Sequence, residues 1–252
     1  MAGYTQVWVS QYKSSFGDLP NVEQSTLGFS QKLVASGLAI KSVFRSNMEA
    51  KDWLLQPGSR NICEERELLH FVGHSTTEGP QFRQRTSNNG VANYRELQWG
   101  TGNLRWVVID GCLTLNPIAT SSKFTNIFSR WGTVFSGLRG LYGFSSLSTS
   151  ETTRGTAFAT YLVEGEPIWL AWMKACQESE SETAEFAVLT VAVEGALDLV
   201  EDGNVAEGAV GDADALLTPS VAMLPNDRWP QDADLPPVDA QATGLVYFTA
   251  HV

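Results

Sequence analysis

The sequence has little cysteine, a shortage of positive charge and no long hydrophobic run. Its three cysteines, Cys63, Cys112 and Cys176, are odd in number and widely spaced, and none forms a CxxC pair. That excludes a disulfide framework and leaves no zinc or thiol-redox motif. No apolar stretch approaches the roughly 18 residues that a membrane-spanning helix needs, and Met1 to Ser10 lacks the basic and apolar regions of a signal peptide. A soluble, cytoplasmic protein without a membrane partner is expected. Seventeen Lys and Arg stand against 28 Asp and Glu, a net charge of −11. Phosphate binding needs clustered cations, so nucleic acid is not an expected partner. Neither a G-x-x-x-x-G-K-[ST] phosphate loop nor a G-x-G-x-x-G dinucleotide turn occurs, and no cofactor is expected.

The chain does have bulk. Of its 252 residues 43% are hydrophobic and 10% aromatic, enough for one domain with a full core. Acidity is concentrated late: Glu194 to Asp239 carries eleven acids and a single base, Arg228. Asp198-Leu199-Val200-Glu201-Asp202-Gly203 lacks the alternating ligand positions of a calcium loop, so this stretch reads as solvated surface and no metal is expected. Composition places a core at 1–197 and an acidic, loop-rich extension at 198–252, part of the same domain.

Apolar runs bounded by turn residues alternate with segments of helical period, the pattern of an α/β fold with a largely parallel sheet. Strands are expected at Thr5 to Gln11, Ile40 to Phe44, Leu68 to Val72, Leu104 to Ile109, Leu138 to Phe144 and Phe186 to Val193. Helices are expected at Val22 to Ser36, Met48 to Leu55, Phe124 to Trp131, Thr156 to Val163 and Ile168 to Gln177. Beyond residue 197, Pro225, Pro230, Pro236 and Pro237 break any helix, and only Gly244 to Val252 regains strand character, as an edge strand.

Two strand ends carry chemistry: Phe71-Val72-Gly73-His74-Ser75 and Ile109-Asp110-Gly111-Cys112-Leu113. In an open parallel sheet the carboxyl ends of neighbouring strands share one crevice, so His74 and Cys112 are delivered to the same edge. An imidazole beside a thiol can take its proton and release the nucleophilic thiolate. The glycines permit tight turns, and peptide N–H groups near Gly111 and Cys112 are candidates for holding an oxyanion.

This arrangement resembles the caspase-like cysteine peptidases, the group that contains caspases, legumain, gingipains, separase and clostripain. FVGHS is similar to their catalytic-His block and VVIDGCLTL to their catalytic-Cys block, 38 positions apart and in the family's order. GLYGFSS from Gly140 and GTAFATYLVEGEPIWLAWMKA from Gly155 look like the later strand and helix pair of bacterial caspase-like proteins, including uncharacterised ones. The likeness covers roughly residues 4 to 193. It implies a three-layer fold, a His74/Cys112 dyad and a peptide or amide substrate. It also implies an oxyanion donor at the residue after the His, here Ser75 where the family has Gly.

Asp110 and Glu78 are carboxylates that could orient His74 or bind substrate, and Ser145 opens a loop, Ser145 to Thr149, expected to line a substrate pocket. Arg83 and Arg85 lie in a polar loop expected to overhang the crevice. His70 reads as a core histidine, Cys63 and Cys176 as incidental, and His251 as relevant only if the last strand returns to the crevice. Gly143-Phe144-Ser145-Ser146-Leu147 lacks the second Gly of a serine-hydrolase elbow. The expected activity is thiol-dependent acyl transfer: hydrolysis, transpeptidation or cyclisation. Two alternatives stay open, a catalytically silent binding module of the same fold and a metabolite-tailoring enzyme that uses the same crevice. Net acidity favours basic or neutral substrates.

Overall fold

The fold is that of a computed structural model, which describes residues 3–12, 17–38, 41–47, 50, 52–56, 63–83, 90–118, 126–193, 220–225 and 242–251. In chain order the elements are β1 (Gly3–Trp8), α1 (Asn21–Ala35), β2 (Lys41–Ser46), β3 (Leu68–Val72), β4 (Ser75–Thr76), β5 (Gly79–Pro80) and β6 (Trp106–Asp110). Then follow α2 (Ile127–Trp131), β7 (Gly140–Phe144), α3 (Arg154–Val163), α4 (Ile168–Ser179), β8 (Glu185–Val193), β9 (Ser220–Pro225) and β10 (Ala242–His251). β4 and β5 form a small separate hairpin. The other eight strands make one sheet in the order β2-β1-β3-β6-β7-β8-β10-β9.

From β2 to β7 every pairing is parallel; β8, β10 and β9 extend the sheet with antiparallel pairings. The result is an α/β fold with a mostly parallel central sheet flanked by helices. Strand parity explains the layers. Leu68, Trp106, Val108, Tyr142 and Phe144 face one way and pack under α1, α3 and α4 with Phe29, Phe158 and Trp172. Leu69, Phe71, Val107, Ile109 and Leu141 face the other way, against Tyr94, Trp99, Trp131 and Phe135. Both faces of β3 and β6 are covered, which is why their sequences are almost continuously apolar. No helix among the described residues is long and apolar enough to cross a membrane.

One expectation needs correction. The last strand is not at the edge: β10 lies between β8 and β9, with Tyr247 in register with Leu189 on one side and Ala222 on the other. The edge belongs to β9, inside the stretch expected to be loop. Ser220-Val221-Ala222-Met223-Leu224 is a short apolar run whose strand signal is drowned by the surrounding Asp, Gly and Pro, and Pro225 ends it because proline cannot extend a ladder. The acidic positions from Glu194 to Asp239 themselves lie outside the described residues, as does Arg85. The helix expected at Met48 to Leu55 is described only as a 3-10 turn at Asp52–Leu55, and Met48, Glu49, Lys51, Phe124 and Thr125 lie outside the described residues. The segment after His74 holds the β4–β5 hairpin. The other differences are at boundaries, the first strand ending at Trp8 and α3 starting at Arg154.

α1 and α3 follow the parallel strands β1 and β7, so both helices begin at the carboxyl edge of the sheet. They touch closely. A Cβ on Gly155 would sit 2.1 Å from the Ser25 carbonyl oxygen, so only glycine allows this approach.

Candidate active site

At the carboxyl edge a small crevice with about 50 Å³ of room opens above β3 and β6. His74 and Cys112 both line it. Its remaining walls come from Leu19 and Val22 at the start of α1 and from the loop Ser148 to Glu151.

His74 leaves β3 through Gly73, whose N–H donates to the Asp110 carbonyl oxygen at 3.1 Å. Its imidazole is held from the loop after β1. The Tyr12 ring packs on it at 4.7 Å between centroids, and His74 Nε2 lies 3.2 Å from the Gly17 carbonyl oxygen. A carbonyl only accepts, so Nε2 carries the hydrogen and, in the neutral ring, Nδ1 carries the lone pair. The His74 main-chain N–H donates to the Tyr12 hydroxyl at 2.8 Å. Burial pushes that phenol up from its ordinary value, so it stays a neutral hydroxyl.

Cys112 is the only one of the three cysteines that is not buried. Its Sγ sits 3.4 Å from the Ser148 main-chain nitrogen and 3.4 Å from the Ser148 carbonyl oxygen. An N–H aimed at sulfur stabilises a thiolate; a carbonyl holds the neutral S–H. The next residue, Leu113, has φ +59°, a left-handed conformation that costs a residue with a Cβ about 1–2 kcal/mol. Strain of this kind persists where surrounding contacts fix it, here the Leu113 N–H to Ser146 carbonyl bond of 2.9 Å. By contrast, burial pushes the Cys63 and Cys176 thiols up, which keeps both inert.

The His and Cys loops are locked together. Ser75 is buried, and its hydroxyl donates to the Cys112 carbonyl oxygen at 2.6 Å while accepting from the Thr114 hydroxyl at 2.7 Å. Gly111 is required by this approach: a Cβ there would lie 2.5 Å from both the Gly73 carbonyl oxygen and Ser75 Oγ. The Gly111 N–H, a candidate oxyanion donor, donates to the Ile109 carbonyl oxygen at 3.0 Å.

Asp110 lines the crevice but turns to the helical layer, where it pairs with the buried Arg154, and Arg154 in turn pairs with Glu180. Arg154 also donates to the Thr149 carbonyl oxygen and the Ser179 hydroxyl, both at 2.9 Å. Glu180 accepts the Thr149 N–H at 2.9 Å, so this ion cluster anchors the crevice loop. Burial pushes Asp110 and Glu180 up from the ordinary carboxylate value, with Arg154 opposing the shift in both.

The structure does not bring Glu78 or Ser145 to the crevice. Glu78 accepts from the Asn93 side chain, and Ser145 turns its hydroxyl and N–H to Glu185 at the start of β8. Arg83 donates to the Gln11 side chain at 3.0 Å. Much of the loop after His74 is packed, not overhanging, because Phe82, Val91 and Ala92 are buried. His70 is a core residue between Phe29 and Phe158, 3.2 Å from Gln6, and burial lowers its imidazole to about 3, so it is neutral. His251 ends β10 at the crevice edge, but three strand spacings from β6 put it about 14 Å away.

Of the loop expected to line a pocket, Ser148 and Thr149 do line the crevice, whereas Tyr12, Gly17, Arg154 and Glu180 are missed in the sequence. For two of them a signal existed. Arg154 opens α3 and Glu180 caps the end of α4, so each charge sits at the helix end whose dipole opposes it. Such placements call for a specific partner, and here each supplies the other's.

A mostly parallel sheet flanked by helices thus carries the half-buried Cys112 and the oriented His74 imidazole at one crevice. The chain belongs to the DUF6345 family, a domain of unknown function, whose family model matches residues 6–221. No curated protein matches the sequence.

Proposed function

We propose that this protein is a cysteine-dependent acyl-transfer enzyme of the caspase-like kind, a peptidase, amide hydrolase or transpeptidase acting on a peptide or amide-containing substrate. The observation that carries this reading is the shared crevice of His74 and Cys112, with the His74 imidazole oriented by the Gly17 carbonyl. His74 Nδ1 takes the proton from Cys112 Sγ, and the thiolate attacks the carbonyl carbon. A C–S bond forms, and the carbonyl π pair moves to oxygen, near the N–H groups of Ser75 and Cys112. Collapse breaks the C–N bond, and the leaving amine takes the proton from His74. Water or an amine then attacks the thioester, gives its proton to His74 and releases the thiolate. A water acceptor gives cleavage; an amine gives transpeptidation or cyclisation.

The engagement of the Gly111 N–H by Ile109 favours a second reading, a binding module that keeps the fold without turnover. Iodoacetamide labelling of each cysteine, followed by mass spectrometry, separates the two. The enzyme reading expects Cys112 at pH 6 to react about tenfold faster than free cysteine and to lose that advantage in His74→Ala, because a paired imidazole raises the thiolate fraction. Labelling of Cys112 at the free-cysteine rate, unchanged in His74→Ala, selects the silent module.

A further inference from the structure

We propose that the outer groove between α1 and α3 is a binding track for an extended, basic segment of a peptide, continuing from the Cys112 crevice. Its service to an acyl-transfer substrate rests on the reading above; its binding of a basic peptide does not.

The crevice has about 50 Å³ of room, enough for a reacting group and little more, whereas the groove offers about 970 Å³. A peptide that reaches Cys112 must therefore place most of its length elsewhere. The two spaces adjoin on both walls. On α1 the crevice is lined by Leu19 and Val22 and the groove by Pro20 and Glu23; on the α3 side Glu151 and Arg154 alternate with Thr152 and Thr153. Because both helices start at the crevice edge, the groove runs away from it along their length. From Pro20 to Gln31 is eleven residues of helix, about 16 Å at 1.5 Å per residue. An extended segment of about five residues fills that distance.

Glu23, Glu164 and Glu178 line the groove, and all three are exposed. None of the described side chains lining it is Lys or Arg. Tyr161 stands among these carboxylates: its phenol donates to Glu178 and is pushed up to about 12, first by that hydrogen bond and then by burial and the surrounding carboxylates, while Lys174 lies over its ring at 5.2 Å. Thr153, Thr156 and Gln24 add hydroxyls and an amide that can bond a peptide main chain, and Leu27, 44% exposed, supplies one apolar contact. An anionic polymer or lipid surface would be repelled, and an apolar helix would meet glutamates and threonines on either side of Pro20, Leu27, Ala157 and Tyr161. Lys and Arg side chains on an extended chain match the wall in charge and reach.

The probes are the fluorescein-labelled pentapeptides RGRGR and EGEGE, read by anisotropy. RGRGR is expected to bind the parent and Cys112→Ala equally, to weaken about tenfold in the triple variant Glu23→Gln/Glu164→Gln/Glu178→Gln, and to be unaffected by Glu65→Gln/Glu182→Gln. EGEGE is expected not to bind. No binding of RGRGR, or equal binding by the triple variant, overturns the track. A second arm gives each peptide a bromoacetyl group at one end or the other and follows labelling of Cys112. Faster labelling by a basic peptide, lost in the triple variant, supports continuity between track and crevice. Equal labelling by both peptides overturns that continuity while leaving the thiol reading intact. Glutamate-dependent binding with no labelling of Cys112 by any peptide counts against acyl transfer and leaves the track as a binding site.

Discussion

The hydroxyl of Ser75 donates to the carbonyl oxygen of Cys112 at 2.6 Å, joining the loop that carries one candidate catalytic side chain to the backbone of the other. Where the resembled family has glycine, this chain has a residue that clamps. Ser75→Ala removes that bond and leaves the buried Thr114 hydroxyl without its acceptor, a loss of about 1–3 kcal/mol. The urea midpoint should fall accordingly, and Cys112 alkylation should slow. Adding Thr114→Val removes the orphaned hydroxyl and should return part of the stability. A Ser75→Ala midpoint equal to that of the parent would show that the clamp carries no weight.

Arg154→Met leaves Asp110 and Glu180 as buried carboxylates without their cation, and breaking a buried pair in this way costs about 3–5 kcal/mol at neutral pH. The loss should depend on pH in a defined direction. An acid raised in the folded state binds protons on folding, so its unfavourable contribution is absent below the ordinary carboxylate value. It grows as pH rises through the window up to the raised value. Removing Arg154, which opposes both shifts, widens that window. Urea midpoints of parent and variant should therefore differ more at pH 8 than at pH 5. A gap of equal size at both values would mean that the carboxylates are not the origin of the loss.

The parts legible in sequence were those whose cause is local. β3 and β6 are covered on both faces, so Leu68 to Val72 and Trp106 to Asp110 read directly as buried strands, and parallel pairing turns their ends into one edge. His74 and Cys112 follow from that alone. The groups that orient them arise from strand adjacency: β1 lies beside β3, which brings Tyr12 and Gly17 to His74 across 62 and 57 residues. No local pattern marks them. Asp110 was ambiguous because its partner, Arg154, is 44 residues away, and Ser145 misled because its strand delivers it towards β8.

Tyr12 tests whether these unsignalled contacts matter. Gly73 leaves the space it occupies, since a Cβ there would lie 2.5 Å from the Tyr12 hydroxyl. Tyr12→Phe keeps the ring against His74 but removes the acceptor of the His74 main-chain N–H and the 3.4 Å bond to the Gln81 carbonyl oxygen, about 1–2 kcal/mol in all. Tyr12→Ala removes the ring as well and frees the imidazole to turn. If the ring positions the base, Cys112 alkylation at pH 6 should fall modestly in Tyr12→Phe and towards the His74→Ala level in Tyr12→Ala, with Cys63 and Cys176 silent throughout. A purely structural role predicts a different result: both variants lose stability, yet at low urea each alkylates Cys112 at the parent's rate.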